Sequence, residues 1–140
     1  MRLFLDANVL VSVLNKEYPL FSYSSRIVSL ADHKNFEVFT SPLCLAIGFY
    51  FAEKKNKKTA KQKIETLAKH LSISSVTGAA VKKAIENPSI HDFEDGLEYY
   101  AAAESKCACI ITEDVKDFYF SDIEVLTCEG FFNKYLGSNK

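Results

Sequence analysis

Two stretches of this chain are apolar without alternation: Leu3-Phe4-Leu5 near its start and Ala108-Cys109-Ile110-Ile111 late in it. A strand with one wet face alternates apolar and polar residues, whereas a strand buried on both faces does not need to. Between them lie segments with helical spacing. The clearest runs from Thr59 to Leu71, where Ala60, Ile64, Leu67, Ala68 and Leu71 recur at intervals of three and four. Strands alternating with helices predict an α/β fold with a mainly parallel central sheet covered on both faces.

The remaining elements follow from the same reading. Strands are predicted at 2–5, 36–39, 71–76, 108–111 and 123–126, about five in all. Helices are predicted at 9–14, 20–33, 43–52, 59–71, 77–87, 92–106 and 129–136. Ser41-Pro42 is a good helix entry, because Ser caps and Pro suits the first turn. At 140 residues one domain is expected, spanning 1–137, with a loose end in the last few residues. No basic segment precedes a long apolar run, and no stretch of 18 apolar residues exists. The expectation is a cytoplasmic protein without a secretory leader or membrane span. The cysteines Cys44, Cys107, Cys109 and Cys128 read as small buried residues rather than zinc ligands, since C-x-C alone is weak.

In open parallel sheets, ligands bind beyond the carboxyl ends of the strands. Asp6 ends the first strand, Thr40 and Ser41 follow the second, and Thr112, Glu113 and Asp114 follow the strand at 108–111. The helix from Asp92 feeds that last strand through a short turn, so its N-terminus, with Asp92 and Asp95, falls at the same sheet edge. Carboxylates brought together repel unless a cation compensates. Oxygen ligands of this kind suit Mg²⁺ or Mn²⁺ and a phosphate-bearing substrate. Each acid also has a plainer role available: Asp6 as a strand end, Asp92 and Asp95 as a cap and first-turn acid, Asp114 as the cap of a short turn. For Asp92 alone the cap is the preferred reading. The three histidines are scattered, and no nucleophilic triad stands out.

Leu5-Asp6-Ala7-Asn8-Val9-Leu10, Thr40 to Ala46, Asp92-Phe93-Glu94-Asp95-Gly96-Leu97 with Ala101 to Ala103, and Ile111 to Phe118 together resemble, in order, the four motifs of the PIN domain family, in particular its VapC-like toxin ribonucleases. The resemblance implies a single PIN-like domain, Mg²⁺ or Mn²⁺, and endonucleolytic cleavage of an RNA substrate. It implies Asp6, Asp95 and Asp114 as metal-site and catalytic acids, with Asn8, Ser41 and Thr112 supporting them. Asp92 and Asp117 are possible additional acids, Asp117 as an alternative to Asp114. Bacterial members are commonly toxins held by a cognate antitoxin protein, and they often form homodimers. One departure stands out: the family usually places a Glu where this chain has Ile47. A rival reading is therefore a catalytically weak or inactive PIN-like module that binds RNA or a partner. A phosphotransfer domain built on Asp6 would want a second Asp two residues on, where Asn8 stands.

The lysines Lys54, Lys55, Lys57, Lys58, Lys61, Lys63 and Lys69 crowd one region while the net charge is only -1. They offer a local surface for a phosphate backbone. The plainer reading, slightly preferred, is a solvated helix face with Glu65 pairing to Lys69.

Overall fold

The computed structural model describes residues 1–137, and the expected loose end, at 138–140, lies outside the described residues. Strand β1 (Arg2–Leu5) carries Leu3, Phe4 and Leu5 fully buried in succession, as a strand covered on both faces requires. It passes directly into helix α1 (Ala7–Leu14), because Asp6 serves as the helix N-cap. That is why α1 begins two residues earlier than its apolar pattern suggests. Helix α2 (Phe21–Ser29) follows, and the single helix expected over 20–33 instead tightens into a 3₁₀ turn at Leu30–Asp32.

Strand β2 (Glu37–Thr40) leads into α3 (Pro42–Lys55), whose start is fixed by Ser41: its Oγ accepts from Cys44 N at 3.1 Å. Asn56 then ends α3 and caps α4 (Lys57–His70), with its Oδ1 accepting from Lys58 N at 3.1 Å. Both helices therefore extend into the lysine-rich stretch. The strand expected over 71–76 is confined to β3 (Ser72–Ile73). Helix α5 (Gly78–Glu86) is capped by Thr77 and α6 (Phe93–Glu104) by Asp92. Strand β4 (Cys109–Ile111) is fully buried. A 3₁₀ turn (Val115–Phe118), strand β5 (Glu124–Leu126) and α7 (Cys128–Phe131), continued by a π turn at Phe132–Leu136, complete the described chain.

The five strands form one parallel sheet in the order β3-β2-β1-β4-β5, flanked by helices. From β1 the chain builds outward through β2 to β3, then returns to the other side of β1 to place β4 and β5. The order thus reverses between β1 and β4, the position at which open α/β sheets form a crevice beyond the strand ends. The Thr40 hydroxyl, fully buried, donates to Leu5 O at 2.9 Å and ties the end of β2 to that of β1. All four cysteines are buried and free, in keeping with their reading as small core residues. None of the helices is long and apolar enough to cross a membrane.

Ser41 is buried at the head of α3, and removing its hydroxyl orphans the Cys44 amide. Ser41→Ala is expected to lower stability by about 1 kcal/mol, the ordinary worth of such a cap, in urea unfolding. An unchanged midpoint would show that the cap contributes nothing.

Candidate active site

The crevice between β1 and β4 holds a cleft of about 460 Å³ lined by Asp6, Asn8, Asp92, Asp95, Asp114 and Asp117, together with Glu17, Glu94 and Glu98. Ile47 and Phe51, on one face of α3, supply apolar wall. Eight of the lining residues are acids, and none among the described residues is Lys, Arg or His. Of the residues singled out from the sequence, the structure brings all but two to this lining. Thr112 lies just beneath, fully buried, and Ser41 sits at the α3 cap.

Asp6 is the fixed point. Its side chain is 6% exposed, and Oδ1 accepts from the Ala7 amide at 2.6 Å. Oδ2 accepts from the Thr112 hydroxyl at 2.7 Å, with the Asn8 amide nitrogen at 3.4 Å. Asn8 Nδ2 also faces Thr112 Oγ1 and Asp114 Oδ2, each at 3.1 Å. Its Oδ1 accepts from the Glu113 amide at 3.2 Å, which turns the Nδ2 side of the amide toward the acids. Thr112 Oγ1 in turn accepts from Asp114 N at 3.0 Å. Asp114 thus spends its carboxylate on Asn8 and makes no side-chain cap to the 3₁₀ turn it precedes. Glu113, by contrast, leaves the cleft and accepts from Cys128 N at 3.0 Å at the head of α7.

Helix α6 presents its first turns to the same cleft. Asp92 Oδ1 accepts from Asp95 N at 3.0 Å, so this acid is the helix cap as the plainer reading has it, although it also lines the cleft. Burial first, then the Asp92 and Asp6 carboxylates, push Asp95 up to about 7. Burial and Asp92 likewise raise Glu94.

One functional-looking residue is absent from the sequence reading. Glu98 is 2% exposed, and its Oε1 has no hydrogen-bond partner among the described residues. An oxygen of Glu98, an oxygen of Asp6 and the Cys44 sulfur all lie within 4.8 Å of one another, close enough for side chains that share an ion. Burial, and then the facing Asp6, push the Glu98 carboxyl up to about 11 in the metal-free protein. The Cys44 thiol is held well above its ordinary range by burial and the Glu98 charge, so it stands as a neutral group. A signal for Glu98 was present: it lies three residues after Asp95, and three and four before Ala101 and Ala102. It therefore shares the face that α6 buries.

A sequence model of the PIN domain matches residues 2–116, and with this match the chain is shown to belong to the PIN domain family. Ribonuclease VapC1 of Aquifex aeolicus (strain VF5) is 32% identical over 138 residues, 96% of this chain and 95% of that protein. Among solved structures, VapBC2 from Rickettsia felis bound to a DNA fragment from their promoter superposes with a TM-score of 0.69 at 23% identity, over 90% of this chain and 97% of that one. Mycobacterium tuberculosis VapC20, a Sarcin-Ricin loop cleaving toxin, gives 0.65 at 14% identity, over 87% and 98%. At these identities the two structures share the fold.

Raised carboxyls set a pH dependence in the metal-free protein. Between the ordinary value of 3.8 and about 7 the folded chain keeps a proton on Asp95 that the unfolded chain releases, and Glu98 does the same from 4.5 up to about 11. Stability from both groups is complete below the ordinary carboxylate range and is lost as pH rises. The melting temperature in EDTA is expected to fall between about pH 5 and about pH 8, and Asp95→Asn to flatten that fall and melt higher at the upper end. A variant whose profile follows the parent at every pH would remove Asp95 from the crowd of interacting acids.

Proposed function

We propose that this protein is a divalent-metal-dependent endoribonuclease in which Asp6, Asp95 and Asp114 hold Mg²⁺ or Mn²⁺. The observation that carries the reading is the cleft itself: acids from the ends of β1 and β4 and from α6 converge, and no Lys, Arg or His of the described residues lines it. The donor set also fits such an ion. It is built of carboxylate oxygens, the hard ligands these metals take, and the one nearby sulfur is a neutral thiol. The 32% identity to a protein named as a ribonuclease, over nearly the whole chain, supports the substrate class. That ribonuclease and the toxin VapC20 also support a place for this protein as the toxin of a toxin–antitoxin pair.

A divalent ion in such a site lowers the pKa of water and offsets charge building on a phosphodiester. The chain's own residues do the positioning. Thr112 and Asn8 donate to Asp6, keeping its Oδ2 fixed as an acceptor while Oδ1 is held by the helix amide. Asn8 couples Asp6 to Asp114, and the backbone of Glu113 sets the Asn8 amide the right way round. An Asp at position 8 would supply a further negative charge where a donor is needed. Ile47 and Phe51 line the cleft with hydrocarbon and offer no ligand atom on that side.

Purified protein is expected to cleave single-stranded RNA with Mg²⁺ or Mn²⁺ and to stop in EDTA. Asp6→Asn keeps the side chain's shape and is expected to cost more than about 100-fold in rate, since even groups that only orient metal ligands are worth about 10–100-fold. Circular dichroism should show its fold unchanged. Full activity in Asp6→Asn would refute the site. Ile47 gives the rival reading its observation, because it lines the cleft where the family resemblance expects a Glu. Tight Mn²⁺ binding and RNA binding without cleavage would establish the binding module instead.

A further inference from the structure

Resting on the metal-site reading above, we infer that Glu98 is a metal ligand of this chain, supplying from α6 the carboxylate that α3 lacks at Ile47. Three independent observations lead there. Ile47 lines the cleft, so the position faces the site but offers only hydrocarbon. Glu98 lines the same cleft from α6, one turn beyond Asp95 and on the same helix face. It is 2% exposed, and its Oε1 has no hydrogen-bond partner among the described residues.

A buried carboxylate oxygen without a partner is costly, and native structures rarely leave one so. Either a donor or a cation must face it in the working protein. No Lys, Arg or His lines the cleft among the described residues, and the nearest groups are another carboxylate and a thiol. An oxygen of Asp6 and one of Glu98 lie within 4.8 Å of each other. Two oxygens on one Mg²⁺, each at about 2.0–2.1 Å, stand at most about 4.2 Å apart, so a small rotamer adjustment brings both onto one ion. The extra methylene of Glu over Asp gives the reach this needs from a helix position deeper in the fold than Asp95. Glu98 thus offers from the α6 side of the cleft the carboxylate that Ile47 on the α3 side does not.

The test is Mn²⁺ binding, read by calorimetry on the full chain stripped with EDTA. Glu98→Gln preserves shape and removes the charge. It is expected to weaken Mn²⁺ affinity by about tenfold or more, while melting in EDTA at or above the parent because the cost of burying an ionisable acid beside Asp6 is gone. Glu98→Gln with Ile47→Glu is expected to recover affinity to within about threefold of the parent, since the carboxylate returns from the opposite wall. Affinity for Mn²⁺ unchanged in Glu98→Gln, with Asp6→Asn weakened, would overturn the role of Glu98 and leave the metal site standing. Unchanged affinity in Asp6→Asn as well would overturn the site itself. A Glu98→Gln protein that melts lower in EDTA, or fails to fold, would also overturn it, by showing that the metal-free fold needs this carboxyl.

Discussion

The buried hydrogen bond from the Thr112 hydroxyl to Asp6 Oδ2, 2.7 Å long, joins the ends of two adjacent parallel strands that lie 106 residues apart in the chain. Most of the site depends on it. It fixes the relative height of the β1 and β4 ends, at the point where the strand order reverses. Through the other contacts of Thr112 it also fixes Asn8 and the Asp114 backbone. A side chain that both donates and accepts is needed there, and a hydroxyl provides both. A valine of the same shape would leave Asp6 with its charge buried and one donor short, which is among the more destabilising changes a core can suffer.

This bond also sets how the acids are divided. Asp6 accepts donors at both carboxylate oxygens, whereas Asp95 and Glu98 are pushed upward by burial and by neighbouring charge. On the proposed reading a divalent cation offsets this crowding: the fold supplies the geometry and the ion the opposite charge. The surrounding structure must hold the acids together against repulsion. It does so by placing Asp6 between β1 and α1, Asp92 and Asp95 at the capped start of α6, and Asp114 in the short connection after β4 that Thr112 and Asn8 hold.

Much of this was legible in the sequence. The parallel sheet followed from the unalternating apolar runs at Leu3 and Ile110, and the sheet-edge rule placed Asp6, Asp95 and Asp114 together without any coordinates. Element ends were less legible wherever a single residue acts for two helices, as Asn56 does, or where a strand passes into a helix with no loop, as at Asp6. Ser41 was legible from its neighbour: Ser41-Pro42 reads as a helix entry, and its hydroxyl accepts from the Cys44 amide as that cap, while the supporting role at the cleft came from the family resemblance. Glu98 was missed because a Glu inside a helix normally reads as surface. Only its spacing to Ala101 and Ala102 marks the inward face, and that spacing is informative only once those alanines are known to be buried.

The lysines complete the electrostatic picture. The Glu65–Lys69 pair expected on α4 is not among the ion pairs of the described residues, so the helix face is simply solvated. Lys55 is spent locally, donating to Asn15 O at 2.6 Å, and Lys54 stands over the Tyr50 ring. Both lie one turn beyond Phe51 on α3, where the apolar wall of the acidic cleft ends. A phosphate chain approaching this protein therefore meets two fields of opposite sign within a short distance, and the near-neutral total conceals both. The lysines attract a polyanion but carry no chemistry. The bare acids repel it, and on the proposed reading a divalent ion at Asp6 would invert that repulsion at the place where the phosphodiester would sit. With that reading, the metal would govern whether the substrate can enter the cleft as well as what happens to it there, and the crowding of the acids would be the means of coupling the two.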